Sequence, residues 1–89
     1  MATYIIGYDL NRPHQDYVDL IGAIKEYGTW WHHLDSTWIV VTKDTASQIR
    51  DNLGQHIDEN DELLVVQSAG VGACKGFNEN GSEWLKKNL

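Results

Sequence analysis

The segment Tyr4-Ile5-Ile6-Gly7-Tyr8-Asp9-Leu10 constrains the fold more than any other stretch of this chain. It is apolar at nearly every step, so it reads as a strand covered on both sides. Asn11, Arg12 and Pro13 follow at once, so the strand stops there and the chain turns. Its last side chain but one is a carboxylate. An acid at the end of a buried strand needs water, a hydrogen-bond donor or a cation, because burying a lone charge is costly. Asp9 is therefore a metal ligand, an ion-pair partner of Arg12, or a cap on nearby backbone N–H groups.

A second doubly apolar run, Glu62-Leu63-Leu64-Val65-Val66-Gln67, predicts another strand of the same kind. Between the two lie two helices and a hairpin. From Gln15 to Tyr27 the apolar positions Tyr17, Leu20, Ile21, Ile24 and Tyr27 fall in steps of three and four, which draws one stripe on a helix. Gly28 supplies its stop. Residues 29–33 and 37–42 then read as strands, with Leu34-Asp35-Ser36 as the turn. Thr45-Ala46-Ser47-Gln48 fits a capping box, and Ala46, Ile49, Leu53 and Ile57 continue it as a second stripe.

The order is β-α-β-β-α-β, the split arrangement of an α+β ferredoxin-like domain with a four-stranded antiparallel sheet. Both helices lie on one face of that sheet. The other face would be solvated, yet the two doubly apolar strands leave few polar residues for it. A second copy of the chain is the simplest cover, so a homodimer held by the helix-free face is expected. Beyond Ala69, residues 71–77 read as a fifth, edge strand. Ser82-Glu83-Trp84-Leu85 would open a final helical turn, with Trp84 and Leu85 or Leu89 packing down.

Composition narrows the function classes. The 89 residues make a single domain, 1–89, with a thin core. Four Trp and four Tyr suggest that some aromatic area belongs to an interface. A single cysteine, Cys74, excludes an intrachain disulfide and a cysteine-based zinc cluster. With no signal peptide and no long apolar run, a soluble cytoplasmic protein without membrane partners is expected. The net charge of −6 opposes tight non-specific binding to nucleic acid, which draws on lysine and arginine. Asp58-Glu59-Asn60-Asp61-Glu62 reads as a solvated acidic loop.

The β-α-β-β-α-β order, the Tyr8-Asp9 strand end, the Tyr27-Gly28 helix end and the aromatic hairpin resemble the small CRISPR-associated, ferredoxin-like dimer superfamily. That superfamily includes the adaptor subunit of the spacer-integration complex and VapD-type toxins. The pattern of Gly7-Tyr8-Asp9-Leu10, Gly28 through Trp38, and Asn60-Asp61-Glu62-Leu63-Leu64-Val65 is similar to short bacterial and phage proteins of the SinR family. The resemblance implies that Asp9 approaches its mate across a dimer axis. There it would bind Mg²⁺ or Mn²⁺ and serve as the catalytic residue of a metal-dependent endonuclease. The acidic balance of this chain fits a short RNA better than duplex DNA.

Other groups compete for a function. Trp31-His32-His33 with Asp35 offers a general acid–base pair or two ligands of a weak zinc site, although adjacent strand histidines face opposite ways. Packing among the tryptophans is the plainer role. Trp30, Trp31 and Trp38 could stack on bases, but core or dimer packing suits their weakly basic surroundings better. Gly70-Val71-Gly72-Ala73-Cys74-Lys75-Gly76 has neither phosphate-loop spacing, so its glycines read as turn or edge residues. The second function class is accordingly a non-catalytic dimeric module that binds a protein or a small ligand through its aromatic hairpin.

Overall fold

A computed structural model describes residues 1–11 and 17–89. Among these, β1 (Ala2–Asp9), α1 (Val18–Lys25), β2 (Thr29–Leu34), β3 (Thr37–Thr42), α2 (Ala46–Gly54), β4 (Glu62–Gln67) and α3 (Glu79–Asn88) follow in order. The strands form one antiparallel sheet in the order β2-β3-β1-β4. The protein is thus a small α+β domain, with β1 and β3 at the centre and β2 and β4 at the edges.

Local chemistry accounts for most boundaries. Gly28 adopts φ +85 behind α1, where a side chain would strain the backbone. The Thr45 hydroxyl accepts from the Gln48 amide at 3.1 Å, and the Gln48 side chain accepts from the Thr45 amide at 2.8 Å. That reciprocal box starts α2. Asp35 and Ser36 form the tight turn of the hairpin.

The two faces of the sheet carry different cores. On one, Tyr4, Ile6, Trp38 and Val40 pack against Leu20 and Ile24 of α1 and Ile49 and Leu53 of α2. Asn52 Nδ2 donates to the Tyr27 hydroxyl at 3.0 Å, which ties the end of α1 to α2. Burial there raises the Tyr27 phenol above its ordinary pKa.

The other face is partly covered from within the chain. There α3 brings Leu85 onto Trp31 and Ile39, with Phe77, Trp84, Leu89 and Ile5 around them. Asn78 caps α3 by accepting from the Gly81 amide at 2.8 Å. The Trp31 indole donates to the Gly81 carbonyl at 3.1 Å, and the Thr3 hydroxyl donates to the Asn88 carbonyl. Gly81 suits this close approach, since a Cβ there would meet the His33 ring at 3.2 Å and Asn78 Oδ1 at 3.3 Å, and those side chains would have to shift by a few tenths of an ångström. The expected final turn at 82–85 is thus part of a longer helix that begins at Glu79.

The expected fifth strand does not form. Residues 71–77 make no β-pairing, and Gly70 and Gly76 at φ +88 and +93 turn the chain away from an extended path. The glycines serve the turn that delivers Phe77 and α3 to the sheet. Leu85→Ala is expected to loosen this closure, with a loss of about 2–4 kcal/mol. Urea unfolding checks it, and an unchanged midpoint would mean that α3 adds nothing to the core.

Candidate functional site

The first strand places its odd-numbered residues on the α3 side of the sheet and its even-numbered ones on the α1/α2 side. Tyr8 therefore packs toward the main core, and Asp9 emerges exposed at the end of β1 on the opposite face. The register with β4 sets Asp9 directly across from Glu62, and Gly7 across from Leu64. Opposed side chains of an antiparallel pair share a face, with Cβ atoms about 5 Å apart. Two carboxylates are thus brought together at one end of the sheet, clear of α3.

Around them lies an open groove of about 380 Å³, bordered by Gly7, Asp9, Ser36, Thr37, Glu62 and Leu64. Gly7 contributes no side chain to it, and its Cβ position meets nothing within 4 Å. Ser36 and Thr37 bring hydroxyls from the hairpin turn. Asp9 makes no hydrogen bond or ion pair among the described residues. Of the alternatives for Asp9, the cap on backbone N–H groups does not form among the described residues, and the ion pair with Arg12 falls outside them. Like charges directly opposed across a strand pair are destabilising, so the pair stands in an arrangement that a cation would relieve.

The donor set fits a hard divalent ion in part. Magnesium is held through one or two carboxylates and keeps several waters. Asp9 and Glu62 supply two carboxylates from one chain, with hydroxyls beside them. No group of three or more His, Cys, Asp or Glu side chains able to hold a metal occurs among the described residues. A zinc site, which wants closed coordination by nitrogen or sulfur, has no basis here.

The aromatic hairpin divides between the two cores. Trp38, 1% exposed, stacks on His32 with ring centroids 3.7 Å apart, and its indole donates to the Tyr8 hydroxyl at 3.0 Å. Trp31, 3% exposed, meets Phe77 edge-on at 4.9 Å and His33 at 5.0 Å. His32 and His33 consequently face opposite sides, as strand alternation requires, and cannot share one ion. His32 Nε2 lies 3.3 Å from the Asp35 backbone oxygen, not its carboxylate, so no His–Asp acid–base pair is assembled. Of the three tryptophans, Trp30 alone keeps substantial exposure, and Lys25 Nζ sits 5.5 Å from its ring centroid.

The acidic run also departs from expectation. Asp61 is buried, not solvated. It accepts from the Asn11 amide at 2.8 Å, the Tyr17 hydroxyl at 3.0 Å and the Asp58 amide at 2.8 Å. It therefore fastens the end of β1 to the start of β4, next to the Asp9–Glu62 pair. Sequence reasoning missed both Glu62 and Asp61, because each acquires its role only through the β1–β4 register. Among the described residues no helix is long and apolar enough to cross a membrane. No protein-family model matches this chain, and no solved structure matches it significantly.

Proposed function

We propose that this chain is a ferredoxin-like, homodimeric relative of the SinR and CRISPR-associated small proteins, and that it acts as a metal-dependent phosphodiesterase on short RNA. The observation that carries the reading is the opposition of Asp9 and Glu62 on the open end of the sheet. The βαββαβ order with β1 and β3 at the centre supports the fold assignment. Asp9 is the ligand that the resemblance implies, and Glu62 of the same chain is its companion.

Bound there, Mg²⁺ or Mn²⁺ would offset charge on the phosphorane and lower the pKa of the attacking water. The chain's own residues do the rest. Asp9 and Glu62 would hold the ion, and Ser36 and Thr37 can donate to phosphate oxygens across the groove. The openness of the groove suits a strand that lies across it. Attack by water forms a new P–O bond and breaks the ester bond, and the leaving oxygen takes up a proton.

Cleavage of short RNA and DNA with Mg²⁺, with Mn²⁺ and with EDTA tests the reading. Asp9→Asn keeps the shape and removes the charge, and it should lower cleavage by about 100-fold or more. Manganese binding, followed by its electron paramagnetic resonance signal, should fall in the same variant. Equal cleavage by Asp9→Asn would remove Asp9 from any catalytic role.

A second reading is a non-catalytic module that binds through the hairpin. The exposed Trp30 ring beneath Lys25 favours it. Inactivity of the unmodified protein on every metal and substrate would leave that account as the better one.

A further inference from the structure

The outer edge of β4 carries few of the devices that normally blunt a free edge. It has no proline, lysine or bulge, and its sole charge is Glu62 at one end. Leu64 and Val66 are 64% and 42% exposed on the face that α3 leaves open. The Ser68 amide donates to the Thr3 carbonyl at 2.8 Å, which fixes the alternation of the ladder. Even-numbered β4 residues turn their backbone groups toward β1. Leu63, Val65 and Gln67 turn theirs outward, and they make no further backbone hydrogen bond outside the sheet among the described residues.

We infer that this edge pairs with the same edge of a second copy, antiparallel about a two-fold axis at Val65. The inference specifies how the proposed homodimer is built, and it does not depend on the nuclease reading. Facing residues must share a face of the joined sheet, so their two residue numbers sum to an even value. Centring on Val65 sets it against Val65 of the partner subunit and sets Leu63 against the partner's Gln67. These are the outward-pointing residues, so they exchange N–H···O=C bonds as hydrogen-bonded pairs. Leu64 then meets the partner's Val66, so the exposed apolar side chains of the two edges pack side by side along the open face. Glu62 meets the partner's Ser68, so no acid faces an acid. Centring on Leu64 instead would place Glu62 against the partner's Val66 and would pair fewer outward backbone groups.

Charge allows the approach despite the acidic chain. Beside the edge, Arg50 borders a small groove with Leu63 and Val65 and is ion-paired to Asp51 at 3.0 Å. The rim therefore carries both signs, and copies meet without a block of like charge. A face-to-face dimer is less suited, because α3 already lies on part of that face. Edge pairing also puts the two Asp9 carboxylates roughly 20–25 Å apart, from strand rise and spacing. Each Asp9–Glu62 pair is then complete within its own chain.

Sedimentation velocity over a concentration series tests the inference. The unmodified chain should dimerise reversibly. Leu64→Lys and Val66→Glu, both at exposed positions, should each raise the dissociation constant by about tenfold or more. Mixing the two variants should restore dimer, because the introduced ammonium faces the introduced carboxylate only in the Val65-centred register. Circular dichroism of each variant verifies that the monomer fold is kept. A monomer at all concentrations would overturn the inference, as would a dimer indifferent to both substitutions. Failure of the mixture to recover would overturn the register. Cleavage assays on the unmodified chain report separately on the nuclease reading.

Discussion

Trp38→Ala should lower the unfolding free energy by about 3–5 kcal/mol, the range for emptying a large aromatic core site. Trp38 is 1% exposed at the start of β3, opposite Ile6 in the register with β1. Its removal would leave space beside His32 and Trp30, whose rings both pack on it. It would also leave the Tyr8 hydroxyl without the indole N–H that donates to it. Trp38→Phe should recover part of the loss, since it restores ring area but not the donor. Urea unfolding followed by far-ultraviolet circular dichroism measures both. A loss below about 1 kcal/mol for Trp38→Ala would contradict its place in the core and would return the ring to a role in binding.

The strands and the first two helices were legible in the sequence because their signals are local. The doubly apolar runs that became β1 and β4, the Thr45–Gln48 box and Gly28 each act within a few residues. What covers the second sheet face was not legible in the same way. The stretch around α3 is mostly polar, and only Trp84, Leu85 and Leu89 mark it. Its docking brings Gly81 close to the His33 ring and Trp31 to the Gly81 carbonyl, contacts some fifty positions apart in the chain. The 71–77 segment misled for a related reason. Its valine and aromatic content favours a strand, but the positive φ values of Gly70 and Gly76 commit it to a turn.

The candidate site divides along the same line. Asp9 stood out because a carboxylate closing an apolar strand calls for water, a donor or a cation beside it. Glu62 looked like part of a solvated run, and only the pairing of β1 with β4 sets it against Asp9. A shift of one residue in that pairing would turn Glu62 toward the helices and dissolve the constellation. The groove therefore depends on whatever holds the register at this end of the sheet, and that places weight on Asp61.

Asp61→Ala is expected to destabilise the protein by roughly 3 kcal/mol, because it strips acceptors from buried donors. The Asn11 and Asp58 amides and the Tyr17 hydroxyl all point at its two oxygens. Asp61→Asn is the more informative change. Its amide oxygen can still accept from Asn11 and Tyr17 on the Oδ1 side. Its NH₂ group would then confront the Asp58 N–H, donor against donor, so about 1–3 kcal/mol should still be lost. Tyr17 supports the same junction from the other side, since it holds φ +50 directly before α1 while its ring stays buried. Hydrogen exchange at Asn11 and Asp58 gives the local readout. Both amides should exchange faster in Asp61→Ala and the Asp58 amide alone in Asp61→Asn, whereas amides of β2 and β3 should change only as far as global stability falls. Unchanged protection at Asn11 and Asp58 would show that the junction does not rest on Asp61, and that the Asp9–Glu62 register is held by the strand pairing alone.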